Sequence, residues 1–219
     1  MALIFNTLCL AIVVEILAGT SATDYCNIES CKEMGKVHTM CKYTLSTPAA
    51  ACKQWSNQSL NDAERKIMKD GINQIRNQLT SVVKKRVKDP QRIAIHMLDL
   101  SWDEELETIA QRWTNQCIKH YDDCRNVERF EVTQYMAWKS SMNGNEVTLE
   151  DLMETAYNNL IEVGRRYFSA YPDIVHTIED FTHNLWANMA KVGCGRIKFK
   201  EPNDLTTHLI VCNFAPRKI

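Results

Sequence analysis

The sequence predicts a layered α+β domain, and three observations carry the prediction. Three segments begin with Ser, Thr or Asn, place Asp or Glu three residues later, and then repeat apolar residues at three- and four-residue steps, the pattern of capped amphipathic helices. Two β-prone runs near the C-terminus flank a turn-rich stretch, Pro202-Asn203-Asp204. Helices and strands fall in separate runs, which favours segregated layers over a parallel βαβ sheet. At 219 residues and 45% hydrophobic, the chain is long enough to bury one sizeable core. With 7 Gly and 5 Pro it falls outside collagen-like and low-complexity classes. Lys plus Arg number 26 against 27 for Asp plus Glu, so no excess of cations argues for nucleic acid.

Met1 to Gly19 is apolar and runs into the small residues Thr20, Ser21 and Ala22. Small residues at the −3 and −1 positions predict signal-peptide cleavage after Ala22, and hence a secreted, extracellular chain beginning at Thr23. A transmembrane anchor is the competing reading, but Glu15 at the centre of a bilayer would cost about 2.5–3.5 kcal/mol. Eight cysteines remain once Cys9 leaves with the signal: Cys26, Cys31, Cys41, Cys52, Cys117, Cys124, Cys194 and Cys212. An even set in a secreted chain implies a disulfide framework whose pairing spacing alone leaves open. There is no C-x-x-C, and no Cys and His stand at zinc-finger spacing.

Residues 23–58 hold four of these cysteines without a sustained apolar period and read as a disulfide-tied, loop-rich arm. Asn57-Gln58-Ser59 is a glycosylation sequon just before a helix start. Residues 59–219 read as the main domain. Asn61 with Glu64 caps a helix carrying Ile67, Met68, Ile72, Ile75, Leu79 and Val82, and the run Lys84–Pro90 ends it as a basic, solvated loop. Ser101 with Glu104 is read as the next capping box, with Trp102, Leu106, Ile109, Ala110, Trp113 and Cys117 on one face. Val132 to Lys139 is β-prone. Thr148 with Asp151 opens a third helix through Leu149, Leu152, Met153, Ala156, Tyr157, Leu160 and Ile161. Val192 to Phe199 and Thr207 to Phe214 are the C-terminal strands, with Cys194 facing Cys212 across the pair.

Several of these stretches resemble the antigen 5 group of the CAP superfamily (cysteine-rich secretory proteins, antigen 5, pathogenesis-related proteins). Leu209-Ile210-Val211-Cys212-Asn213-Phe214-Ala215-Pro216 is similar to the family's L-x-V-C-N-Y-x-P run. Phe181-Thr182-His183-Asn184-Leu185-Trp186-Ala187 resembles H-Y-T-Q-M-V-W-A, and Val192-Gly193-Cys194-Gly195 follows it at the expected place. Leu100 to Leu106 resembles L-x-W-x-x-x-L. Asp24-Tyr25-Cys26 and Val37 to Tyr43 resemble the N-terminal arm of insect antigen 5 proteins. The resemblance covers the mature chain. It implies a three-layer α-β-α sandwich and the pairing Cys26–Cys41, Cys31–Cys124, Cys52–Cys117 and Cys194–Cys212.

Many CAP domains hold a divalent metal between two His and two acidic residues, a donor set suited to Zn²⁺. The matching positions here are Ile72, Gln134, Leu160 and Asp180, of which Asp180 alone is a carboxylate. His183, with His176 seven residues before it, is read as an ordinary polar residue rather than a replacement ligand. No G-x-S-x-G elbow is present and every mature cysteine is expected to be bridged, so a hydrolase lacks its nucleophile. The expectation is therefore a protein without catalytic residues, metal or cofactor. No cysteine follows Cys212 and Arg-Gly-Asp is absent, which argues against the channel-blocking tail and the integrin motif of some relatives. Phe130, Tyr135 and Trp138 keep the aromatic-x4-aromatic-x2-aromatic spacing of caveolin-like motifs and are the candidate lipid contacts. The resulting reading is a venom or saliva component that binds an extracellular host molecule without crossing a membrane. A lipid or sterol carrier is the alternative and a metal-dependent hydrolase the third; the sequence leaves oligomeric state open.

Overall fold

The computed structural model describes residues 23–86, 98–142, 144–170 and 189–217, with the backbone alone at 79–86, 160–161 and 163–170. A 3-10 turn at Tyr25–Asn27 leads to the short helices α1 (Glu29–Glu33) and α2 (Thr39–Lys42) and the strand β1 (Lys53–Ser56). Then come α3 (Asp62–Arg86), β2 (Ser101–Trp102), α4 (Glu104–Thr114), β3 (Thr133–Ser141), α5 (Leu149–Ala170), β4 (Lys191–Lys200) and β5 (Thr206–Ala215).

The sheet runs β1-β4-β5-β3 through antiparallel pairs, and β2 adds a short parallel contact to the start of β4. The period of two along each strand sorts its residues between two helical layers. Ala110 and Trp113 of α4 pack with Met136, Ile197, Leu209 and Val211 on one face. Met68 and Ile72 of α3 and Leu152 of α5 pack with Ala137, Val192, Cys194, Ile210 and Cys212 on the other. This is a three-layer α-β-α sandwich.

Local sequence explains two of the three long helix starts. Asn61 Oδ1 accepts the Glu64 N–H at 3.0 Å while Glu64 Oε2 accepts the Asn61 N–H at 2.9 Å, a reciprocal capping box. Thr148 and Asp151 repeat the arrangement at α5, at 3.0 and 3.1 Å. The third start departs from the sequence expectation. Ser101 is not the cap of α4, because its N–H is spent on the Ala190 carbonyl as part of β2. Asp103, in extended backbone, caps the helix instead by accepting the Leu106 N–H at 3.1 Å. Trp102 accordingly lies in β2, and Cys117 lies beyond the end of α4. The basic run also differs: Lys84, Lys85 and Arg86 belong to α3 rather than to a loop, and residues 87–90 lie outside the described residues.

An internal clamp positions α3. Asn73 Oδ1 accepts the Leu100 N–H at 2.9 Å, and the buried Arg76 guanidinium donates to the carbonyls of Leu98 at 2.8 Å and Met189 at 3.1 Å. Those carbonyls sit just ahead of β2 and β4, so one helical turn ties the starts of the two strands together. Burial pushes the Arg76 guanidinium down to about 10.

On the other face, α4 approaches β4 closely enough to require glycine. A Cβ at Gly193 would stand 2.1 Å from the Glu107 nitrogen and 2.5 Å from the Asp103 oxygen, and one at Gly195 would stand 2.4 Å from the Gln111 Cα. These are backbone atoms and cannot turn aside. Gly193→Ala is therefore expected to destabilise the fold by about 3 kcal/mol or more, at the upper end of overpacking costs. Gly35→Ala, where nothing lies within 4 Å but φ is +64°, is the comparison, with a smaller loss expected from backbone strain alone. Urea unfolding of both variants checks the order.

Candidate functional site

Ile72 lies on the inward face of α3, buried beside Met68. Gly71 lets the Met153 side chain of α5 press against α3, since a Cβ there would meet the Met153 sulfur at 2.4 Å. Together Met68, Ile72, Ile75, Tyr135, Leu152 and Met153 line a narrow cleft of about 40 Å³ between α3, α5 and the sheet. The Tyr135 ring forms part of the wall while its hydroxyl is spent on the Ala156 carbonyl at 3.0 Å. Burial pushes the Tyr135 phenol up to about 12, so it stays neutral. Among the described residues no charged side chain lines this cleft.

Gln134 does not share it. In the ladder Gln134 stands opposite Asn213, whose neighbour Gly193 faces α4, so the Gln134 side chain lies on the opposite face of the sheet from Ile72. Both ends of its amide are used: Nε2 donates to Asn213 Oδ1 at 3.1 Å, and Oε1 accepts the Asp122 N–H at 3.2 Å. Asn213 in turn donates to the Leu106 carbonyl of α4 at 3.2 Å. Leu160 belongs to α5, but its side chain, like Asp180, His176, His183 and the 181–187 motif, lies outside the described residues. Among the described residues no group of three His, Cys, Asp or Glu is placed to hold a metal ion.

The three candidate lipid-contact aromatics also separate. Tyr135 faces the cleft. Trp138, three residues along the strand, points to the other face, where the Lys119 ammonium lies 5.9 Å from its ring centroid. Phe130 packs beside Leu106, Ile109 and Val127, with the Arg129 guanidinium 4.8 Å from its ring. Asn57 is exposed in the turn between β1 and α3 with φ at 50°.

The cysteine-rich segment is tied down twice, by sulfur and by a buried polar network that sequence reading missed. Cys26–Cys41, Cys31–Cys124, Cys52–Cys117 and Cys194–Cys212 are bonded. Asp122, held between the Thr39 hydroxyl and Arg125, receives Gln134 through its own N–H. A chain of hydrogen bonds thus runs from α2 through Asp122 and Gln134 to Asn213 in the middle of the sheet. His38 adjoins it: Nδ1 accepts the Met40 N–H at 3.0 Å, Nε2 donates to the Asn126 carbonyl at 2.9 Å, and the ring stacks on Tyr25 at 4.8 Å. The signal was present in His38-Thr39, a polar pair preceding a short helical stretch.

A family model described as the cysteine-rich secretory protein family, CAP, matches residues 69–214. Venom allergen 3 of Solenopsis invicta is 43% identical over 99% of this chain and 94% of its own length. Venom allergen 5 of Polistes dominula is 32% identical over 95% of this chain and 92% of its own. Among solved structures, Schistosoma mansoni venom allergen-like protein 4 is similar at 20% identity and a TM-score of 0.44, covering 73% of this chain and 92% of that one.

His38 generates a pH prediction. Burial holds its imidazole below the usual 6.5, so the folded chain keeps the neutral ring whose Nδ1 caps α2. A depressed histidine contributes its stability in full above 6.5 and loses it as the pH falls through the folded value. Thermal stability should therefore fall as the pH drops below about 6.5, and His38→Gln should remove part of that slope while costing stability at neutral pH. An unchanged slope in the variant would contradict the assignment.

Proposed function

The chain belongs to the CAP family of cysteine-rich secretory proteins, and from that premise we propose that it is a secreted, venom-type protein that acts by binding an extracellular host molecule rather than by catalysis. The signal would be residues 1–22, the tied arm 23–58 and the CAP domain 59–219, with Asn57 open to glycosylation. The observation that carries the reading is the chemistry at Ile72. Where many relatives place a metal-binding imidazole, this chain has a buried aliphatic side chain in a cleft lined by Met, Ile and Leu. Such a surface neither coordinates Zn²⁺ nor activates water. Gln134, the second position, spends its amide on Asp122 and Asn213, a structural use on the face of the sheet turned away from the cleft. The extracellular setting accords with four disulfides and with eight cysteines placed to form them. Among the described residues no helix is long and apolar enough to cross a membrane.

One observation favours a second reading. A cleft with wholly apolar walls also suits an acyl chain or the ring system of a sterol, so a lipid carrier is the alternative. The aromatics Phe130, Tyr135 and Trp138 do not support it as a set, because they lie on different faces. Binding of a fluorescent fatty acid and of a fluorescent sterol to the secreted protein separates the two readings. The lead reading predicts no stoichiometric uptake of either, together with saturable binding to an extracellular host protein that unlabelled protein competes away. Stoichiometric lipid uptake that Ile72→Asp abolishes would replace it with the carrier.

A further inference from the structure

At the far end of the cleft-side face, three basic side chains stand in a row across neighbouring strands. His208 of β5 is paired directly with Lys198 of β4 on one side and with Lys139 of β3 on the other. The ladder thus places a buried imidazole between two ammonium-bearing side chains, which disfavours a second proton on the ring unless an anion joins them. Arg196 follows two residues before Lys198 on the same face of β4. The row runs under the loop that enters α5, and a small pocket there is lined by Asn57, Val147, Leu149, Arg196, Lys198 and His208.

Each fixed cation has an acidic partner drawn from a different element. Lys139 reaches Asp151 of α5 at 3.1 Å, Arg196 reaches Glu64 of α3 at 2.5 Å, and Lys198 is paired with Glu146. The last of these is unlike the others, because the Glu146 side chain is 73% exposed on a loop. An exposed carboxylate of this kind holds its partner weakly. His208 has no such partner. It is 5% exposed, and its Nε2 has no hydrogen-bond partner among the described residues. A buried imidazole nitrogen left without a partner at a pocket lined by an ammonium and a guanidinium is a polar group waiting for a ligand.

We propose that this pocket binds one small divalent oxyanion, held by His208 Nε2 in its protonated form and by Lys198 Nζ, which exchanges its ion pair with the exposed Glu146 carboxylate for the anion. Lys139 and Arg196 flank the site with their charges already matched by Asp151 and Glu64, so Lys198 is the cation that losing Glu146 would free. The anion and the proton bind together. In the empty site burial and the Lys198 and Arg196 charges hold the His208 ring below its usual range, while Glu146 and the Asn145 carbonyl oppose them. A bound dianion outweighs those cations and raises it. Affinity must then rise as the pH falls, by up to about tenfold per unit above the range in which the empty-site ring titrates. The same dianionic chemistry is presented by a free ion and by the terminal group of a phosphate monoester above its second pKa of about 6, whereas a sulfate ester carries a single charge.

The test is calorimetric titration of the purified full chain with sodium sulfate, whose charge is constant in this range, at about pH 6 and about pH 8, with the histidine ring resonances followed in parallel. One-to-one binding is expected, about tenfold or more tighter at the acid pH, with the His208 resonances shifting on binding. Glu146→Gln, a substitution on an exposed loop that leaves the core untouched, should tighten binding at least about threefold by removing the competing carboxylate. His208→Gln should abolish the pH dependence. A sugar phosphate compared with sulfate at about pH 8, where its terminal group is doubly charged, distinguishes the sources: tighter binding than sulfate assigns the site to a monoester, and exclusion assigns it to the free ion. Absence of saturable binding in both arms, equal affinity at both pH values, or no change in Glu146→Gln would overturn the proposal.

Discussion

The rest of the sandwich depends on the backbone-to-backbone contact between α4 and β4. With no side chain at Gly193 or Gly195, the helix settles directly onto the strand, and the strand becomes the rigid centre to which β1, β2 and β5 are paired. Fixing which residues of β4 face α4 fixes which face away. Val192 and Cys194 are thereby turned toward α3 and α5, and the ladder carries that choice to Ile210 and Cys212 on β5 and to Tyr135 and Ala137 on β3. A shift of one residue would exchange every one of these assignments. The apolar cleft therefore follows from where two glycines stand.

The same alternation explains why two positions expected to share a site perform different work. Ile72 closes the cleft between the α3 and α5 layer and the sheet. Gln134 faces the α4 layer and joins the sheet to the N-terminal segment through Asp122 and Thr39. That segment is attached by Cys31–Cys124, Cys52–Cys117 and this buried network, together with the packing of Tyr25, Ile28, Met40 and Tyr43. A disulfide constrains the unfolded chain, typically contributing about 2–4 kcal/mol, while the hydrogen bonds select the one docked arrangement.

How much of this was legible in the sequence depended on whether the cause was local. The Asn61 and Thr148 caps are properties of four consecutive residues and were readable. The start of α4 was not, because Ser101 is claimed by the Ala190 carbonyl, a partner from a distant part of the chain. β1 escaped notice since all four of its side chains are exposed and give no apolar alternation. The separation of Tyr135 from Trp138 was legible in principle, as an odd spacing on a strand sends two side chains to opposite faces. Gln134 could not be assigned to a face without knowing the register. His208 gave no sign of its surroundings, for the row it belongs to is assembled from three strands.

The central claim of the proposed function is that Ile72, the position the family resemblance assigns to a metal-binding imidazole, serves apolar packing in this chain. Calorimetric titration of the secreted protein with Zn²⁺ at neutral pH tests it most directly. The account predicts no saturable site in the micromolar range, since a usable zinc site needs at least three protein ligands and Ile72 supplies none. Tight one-to-one binding that is lost in Asp180→Ala or His183→Ala would contradict it.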